Sequence, residues 1–217
     1  SPPHGHEVLL RVRSVGLNFR DVLNVLGEYP GDPGPPGGDA AGVTEETGVT
    51  AGLVGGNSVY GLANAPLASI ASATALLLAL KPRRLSFEQA STTPSTWSTT
   101  HVALERVCLR AGCELVVHAA SGGIGLTMAE YAHWLHTSIL GTAGQPRKHC
   151  LLRSLGVRGQ GSSRAASAFG HGAPRLVRSY RSHAVLNSLS HDFISVSFAL
   201  LCERGAFQEL GKRQVWA

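Results

Sequence analysis

The stretch VVHAASGGIGLTMAEYAHWL (116–135) decides the fold. An apolar run leads into three glycines crowded in four positions, and an apolar, helix-prone run follows. That order spells a strand, a sharp turn and a helix. Dinucleotide sites place G-x-G-x-x-G at such a turn. Its glycines permit the bend and let backbone N–H groups at the helix start meet a pyrophosphate. Here the register is Ala120-Ser121-Gly122-Gly123-Ile124-Gly125, with alanine in the first glycine's place. A strand-to-helix turn that binds nothing would look the same locally, so the neighbouring segments must discriminate.

Working outward, CELVVHAAS (113–121) reads as a strand and GIGLTMAEYAHWL (123–135) as a helix. TSILGTAG (137–144) is a second strand. PRKHCLLRSLGV (146–157) is a helix with Pro146 near its start and Gly156 at its end. AVLNSLS (184–190) is a strand, HDFISVSFALLCERG (191–205) a helix closed by Gly205, and AFQELGK (206–212) the last strand. A third strand and helix are expected within the polar segment 159–182. Strands alternating with helices of this length imply a doubly wound α/β fold with a parallel sheet. An NAD site usually carries an acid about twenty residues past the turn, to hold the ribose hydroxyls. The second strand instead ends LGTAGQPRK, and Arg147 and Lys148 stand where cations could meet a 2′-phosphate. This favours NADP over NAD. The alternative is two solvated residues in a helix's first turn, where the dipole disfavours cations. His118 is expected to be a strand residue near the turn and not a catalyst.

The chain divides near residue 95, and the first part is β-rich. EVLLRVRSVGL (7–17) alternates as a strand does. NFRDVLNVLGEYPG (18–31) holds a short helix ended by Gly27 and Pro30. GDPGPPGGDAAGV (31–43) is a turn-dense loop entering a short strand, and GNSVYGLA (56–63) is another strand. PLASIASATALLLALKP (66–82) is compatible with either type.

Composition narrows the function classes. The chain has 217 residues, 43% of them hydrophobic and 15% charged, with a net charge of +5. This is enough for a soluble core. The basic residues are scattered, which argues against nucleic acid. The apolar stretch 67–80 is too short to span a membrane. The four cysteines form no CxxC pair and no zinc spacing, so reduced thiols, a cytoplasmic location and no metal are expected. The abrupt start at Ser1 points to a piece of a longer chain.

The motifs together resemble the enoyl reductase domain of modular polyketide synthases and animal-type fatty acid synthases. That domain belongs to the zinc-free, quinone-reductase-like branch of the medium-chain reductases. The matching pieces are VGLNFRDVLNVLGEYPG (15–31), LSFEQAS (85–91), VVHAASGGIGL (116–126), GTAGQPRKHCLLRSLGV (141–157), SSR (162–164), VLNSLSHDF (185–193) and GAFQELGKRQVW (205–216). They follow the family's order across nearly the whole chain. The resemblance implies a partial GroES-like domain over 1–94 and an NADP-binding Rossmann domain over 95–217, truncated at its C-terminus. It implies NADPH-dependent reduction of a trans-2-enoyl thioester on an acyl carrier protein, within a polypeptide carrying other synthase domains, and it allows a homodimer. Asn18 and Asp21 would shape the nicotinamide side of the cleft, their alternative being a polar cap on the helix that follows. Val22 falls near a tyrosine of some relatives. Thr99 would contact the cofactor, its alternative being an ordinary helix N-cap region, and Gly122, Gly123, Ile124 and Gly125 would cradle the pyrophosphate. Thr142, Lys148 and Arg164 would surround the adenosine phosphate. Asn187 and Leu189 would lie at a strand's carboxyl end beside the ligand, with a buried strand terminus as the alternative. Lys212 matches the family's candidate proton donor, with a surface lysine as its alternative. The family's downstream acid falls beyond Ala217.

Several segments depart from the pattern. GGNSVYG (55–61) lacks the usual Gly-Asp-Arg-Val turn, TEETGVTAGLVGG (44–56) is eroded, and 158–184 is short. Two other assignments compete. One is a free-standing quinone or enone reductase of the same superfamily. The other is an inactive structural remnant of an enoyl reductase domain.

Overall fold

The computed structural model describes residues 3–176, 181–189 and 192–211. The chain forms two compact units, Ser1–Ser98 and Thr99–Ala217.

The first unit is built on a five-stranded antiparallel sheet. Its strands are β1 (Glu7–Gly16), β2 (Asp39–Thr47), β3 (Ser58–Leu62), β4 (Ile70–Thr74) and β5 (Leu78–Leu80), in the order β4-β1-β2-β3-β5. Helix α1 (Phe19–Val25) follows β1 at once. Leu10, Ala40 and Val59 make the core of this sheet. The ambiguous stretch 66–82 resolves into β4, a 3-10 turn (Ala75–Leu77) and β5. Its apolar run pairs across the sheet rather than coiling: Leu78 and Leu80 lie opposite Gly61 and Val59. The strand after the proline-rich loop, read as short, runs nine residues because β1 pairs with it from Asp39 to Thr47.

Two helices that the sequence pattern left unassigned follow, α2 (Phe87–Ser91) and α3 (Pro94–Glu105). Ser86 caps α2: its hydroxyl accepts the Gln89 N–H at 3.1 Å, and the Gln89 side chain accepts the Ser86 N–H at 3.0 Å.

The second unit holds β6 (Glu114–Val117), α4 (Gly123–Trp134), β7 (Ser138–Ala143), α5 (Pro146–Ser154), β8 (Gly159–Ser162), α6 (Ala166–Leu176), β9 (Ser182–Asn187), α7 (Asp192–Leu200) and β10 (Leu201–Glu209). The sheet order is β10-β9-β6-β7-β8, and every pairing is parallel. Successive strand residues feed opposite cores, as strand geometry requires. Leu115, Val117 and Leu186 pack with Met128 and Ala132 of α4 and Leu152 of α5. Val116, Leu140 and Val185 pack with Phe169 of α6 and Phe193 and Leu200 of α7. Helices therefore cover both faces, the doubly wound α/β arrangement. Gly156, with φ +80°, ends the α5 turn where a side chain would strain the backbone.

One helix is shorter than its sequence pattern. The segment expected to be helical to Gly205 leaves the helix at Leu200, and Leu201 already pairs with Ser182. Leu200 and Leu201 are both buried in the core shared by α6 and α7. The ladder slips between Leu201 and Ala206, and Arg204 takes a left-handed φ of +65° there. Burying two successive leucines against the sheet outweighs continuation of the helix. Among the described residues no helix is long and apolar enough to cross a membrane.

Candidate functional site

From β6 the chain winds through α4 and α5 to β7 and β8 on one side, then returns to β9 and β10 on the other. The winding reverses between β6 and β9. Open α/β sheets bind ligands at such a switch point, outside the carboxyl ends of the strands. The glycine turn sits there. Beyond β6, the Ser188 hydroxyl donates to the His118 carbonyl at 3.2 Å, tying the ends of β9 and β6 together.

The turn is built bond by bond. Ala119 is left-handed, with φ +50°, and its N–H donates to Thr142 Oγ1 at 3.0 Å. The Ala120 N–H donates to the Thr142 carbonyl at 2.9 Å, and the Gly122 N–H to the Ala119 carbonyl at 2.9 Å. Gly122 is the extended N-cap of α4, and Leu126 makes the first helical bond back to it. The N–H groups of Gly123, Ile124 and Gly125 thus have no acceptor in the helix, as at any helix start. No acid lies in that first turn.

The glycines differ in what they require. A Cβ on Gly125 would lie 2.3 Å from the Ala120 carbonyl oxygen and 2.4 Å from its Cα, so no side chain fits. A Cβ on Gly122 would meet only the Ala119 oxygen, at 3.3 Å. The alanine replacing the family's first glycine is accommodated from the neighbouring strand. A Cβ on Gly141 would stand 2.9 Å from the Ala120 methyl, so a glycine at 141 leaves the space that Ala120 fills.

Thr142 is expected near the adenosine phosphate. It is fully buried, and its hydroxyl serves the turn itself through Ala119 and His118. Lys148 lies exposed in the first turn of α5. Arg147 Nε donates to the Gln145 side-chain oxygen at 2.9 Å. Arg164 follows β8, and its Nε lies 2.8 Å from where a Gly144 Cβ would be, so its side chain lies over the end of β7. Asn187 is fully buried. Its amide donates to the Leu189 carbonyl at 3.1 Å and to Glu209 at 2.8 Å, holding the turn after β9. The same Glu209 accepts the Gly211 N–H at 2.7 Å. Leu189 packs against the core of α6 and α7. Thr99 is half-buried in α3, beside Thr100, whose hydroxyl meets Thr127 of α4 at 2.7 Å. Lys212 lies outside the described residues.

His118, expected within the strand, stands one residue past the end of β6; it is buried, with Nε2 2.8 Å from Ser197 Oγ and Nδ1 3.3 Å from Thr142 Oγ1. Burial pushes its imidazole down to about 4.

In the first unit Asn18 and Asp21 belong to a polar cluster. Asp21 is buried, and its oxygens accept the Asn18 N–H and the Gly37 N–H, each at 2.8 Å. Both donors are backbone groups that fix α1 and the loop before β2. Asp21 therefore ties the start of α1 to the loop before β2. The Asn18 amide donates to Asp39 at 3.0 Å, and Asp39 also accepts the Ser95 hydroxyl at 2.5 Å and N–H at 3.1 Å. Burial raises the Asp39 carboxyl above the usual range, the Ser95 and Asn18 bonds oppose the rise, and the Asp21 charge adds to it. Sequence reasoning missed Asp39, Ser95, Gly141, Ser197 and Glu209. Their roles come from partners distant in the chain, and no local pattern marks them.

No family model matches the chain. Over 211 residues, 96% of its length, it is 37% identical to the spectinabilin polyketide synthase system protein NorB of Streptomyces orinoci. The chain spans about a tenth of NorB's length. The crystal structure of CurK enoyl reductase superposes with a TM-score of 0.90 at 31% identity, over 100% of this chain and 69% of that one. Mycobacterial Rv1454c complexed with NADPH superposes with a TM-score of 0.86 at 28% identity, over 97% of this chain and 67% of that one.

Three outcomes are expected. Gly125→Ala displaces α4 from β6 and lowers stability by about 2 kcal/mol or more, whereas Gly122→Ala changes it by less than about 1 kcal/mol; denaturant unfolding separates them. Asp39→Ala strands the half-buried donors of Asn18 and Ser95 and costs about 1–3 kcal/mol in the same assay. The depressed His118 imidazole is neutral when folded. Above pH 6.5, its ordinary value, neither state holds the proton, and stability is complete. Below that the unfolded chain takes up a proton the folded chain refuses, so stability falls by about 3 kcal/mol by pH 4. His118→Phe flattens this slope, and an unchanged slope counts against the assignment.

Proposed function

Because the chain belongs to the enoyl reductase family of the medium-chain dehydrogenase/reductase superfamily, we propose that it is the reductase domain of a polyketide synthase. It binds NADPH and saturates the carbon–carbon double bond of a trans-2-enoyl thioester presented by an acyl carrier protein. The observation that carries this is the glycine turn at the β6/β9 switch point, with Gly125 forced and no acid at the end of β7.

The residues suit a dinucleotide phosphate. The first-turn N–H groups of Gly123, Ile124 and Gly125 are donors for a pyrophosphate. An NAD-type ribose clamp needs an acid after the second strand. This chain has Gly144 there, with the Arg164 side chain over it and Lys148 in the next helix. Guanidinium and ammonium groups suit a 2′-phosphate. Thr142 and Asn187 act one step back, holding the turns after β6 and β9. Thr99 on α3 is proposed to face the cofactor.

When bound, NADPH supplies a hydride to the β-carbon of the enoyl thioester. Lys212 is proposed to place a proton on the α-carbon and to stabilise charge at the thioester oxygen. Asn18 and Asp21 hold α1 and the loop before β2 in place. The similarity to a segment of NorB, a polyketide synthase system protein, supports flanking synthase domains in the same polypeptide.

Binding and turnover test the proposal on one preparation. NADPH should bind more tightly than NADH, and a crotonyl thioester should drive NADPH consumption. Arg164→Ala and Lys148→Ala should each weaken NADPH by about tenfold and leave NADH unchanged. Equal affinity for the two cofactors would refute the 2′-phosphate assignment. NADPH consumption with soluble quinones but not with the thioester would make the chain a quinone reductase instead.

A further inference from the structure

The turn after β6 has an unusual support. Its first residue, Ala119, holds a left-handed backbone that non-glycine residues rarely adopt. A fixed acceptor for its N–H stabilises such a conformation. That acceptor is Thr142 Oγ1, at 3.0 Å. Thr142 is fully buried, so the direction of its own O–H is set by protein groups, and His118 Nδ1 lies 3.3 Å away.

The direction of each bond in this row follows from one proton. Ser197 donates its hydroxyl to the Phe193 carbonyl, one turn back in α7. Its oxygen is then left to accept, and His118 Nε2 faces it at 2.8 Å. Nε2 must therefore carry the hydrogen. A neutral imidazole with Nε2–H has a bare Nδ1, which accepts. Thr142 donates its hydroxyl to Nδ1, and its lone pairs are free for the Ala119 N–H. The row runs Ala119 N–H to Thr142, Thr142 O–H to His118, His118 N–H to Ser197, Ser197 O–H to Phe193. Every donor has an acceptor and every proton a place.

The surroundings favour the same state. Phe169 of α6 and Phe193 of α7 meet the imidazole edge-on, with ring centroids 5.1 and 5.2 Å away. The groups facing it from β7, α6 and α7 are thus a hydroxyl, two phenyl rings and a second hydroxyl, none of them titratable near neutrality. No carboxylate is among them to stabilise an imidazolium.

We propose that His118 is a positioning residue for the nucleotide turn, acting through Thr142 as a neutral Nε2–H imidazole that ties Ala119 to α7. This rests on the nucleotide-binding assignment above. The row fixes the left-handed residue from which Gly122 and the α4 N–H donors are aimed. A histidine serves because one ring accepts at one nitrogen and donates at the other.

Imidazole nitrogen spectra of the unmodified protein test the tautomer directly. A pyrrole-like Nε2 and a pyridine-like Nδ1 are expected, and the reverse pattern overturns the proposal. Thr142→Val keeps the side-chain shape and removes the hydroxyl. It should speed hydrogen exchange at the Ala119 amide about tenfold or more, and unchanged exchange overturns the proposal. NADPH affinity then reports the consequence. His118→Phe and Thr142→Val should each weaken it by about tenfold, and the double variant by no more than either alone. A hundredfold loss in the double variant means two independent contributions and overturns the relay. If the folded, unmodified protein binds no NADPH, the nucleotide assignment fails. The spectra and amide exchange distinguish that failure from a failure of the relay.

Discussion

The approach of α4 to the end of β6 is the constraint on which the second unit depends. The first turn of the helix lies so close to Ala120 that a methyl group at Gly125 would overlap its backbone. The closeness aims three unpaired N–H groups past the carboxyl edge of the sheet. It also demands space on the far side of the turn. Ala120 fills part of that space, and Gly141 on β7 gives it up. Two glycines on different elements therefore serve a single approach, and the alanine in the motif is affordable only because of the second.

The two units hold their turns by different chemistry. In the second, neutral groups do the work: a threonine, a histidine and a serine bridge β6, β7 and α7. In the first, two buried carboxylates gather backbone N–H groups and small polar side chains around the start of α1. Hydrogen bonds to a carboxylate are strong, and a buried carboxylate without them would be prohibitive. This explains why the proline-rich loop before β2, poor in regular structure, still has a defined path: Gly37 is pinned by Asp21 and β2 opens on Asp39.

Much of the fold was legible because periodicity is local. The strands and helices flanking the glycine turn follow from apolar runs of the right length, and Pro146 and Gly156 bracket α5 as their backbone preferences require. Legibility ended where tertiary burial overrode the pattern. Leu200 and Leu201 leave a helix-compatible run for the sheet because the core between α6 and α7 takes both. The leucines of 76–80 carry no period that separates strand from helix, and pairing with β3 decided the matter. Helix α2 is only five residues long, and α3 is rich in serine and threonine, which weakens any propensity signal.

The sequence by itself determined the alternation of strand and helix from β6 to α5, the turn after β6, the lack of an acid after β7 and the resemblance that those motifs carry together. Each of these is written in consecutive residues, where backbone sterics and spacing suffice. Only the tertiary structure decided what the individual polar residues do. Thr142 turned inward to hold Ala119, Asp21 became an anchor for backbone N–H groups, and Asp39, Ser95, Gly141 and Ser197 gained roles no motif announces. The physical reason is separation: a hydrogen bond between residues 56 or 79 positions apart, such as Asp39 to Ser95 or His118 to Ser197, exists only once the chain has folded around it.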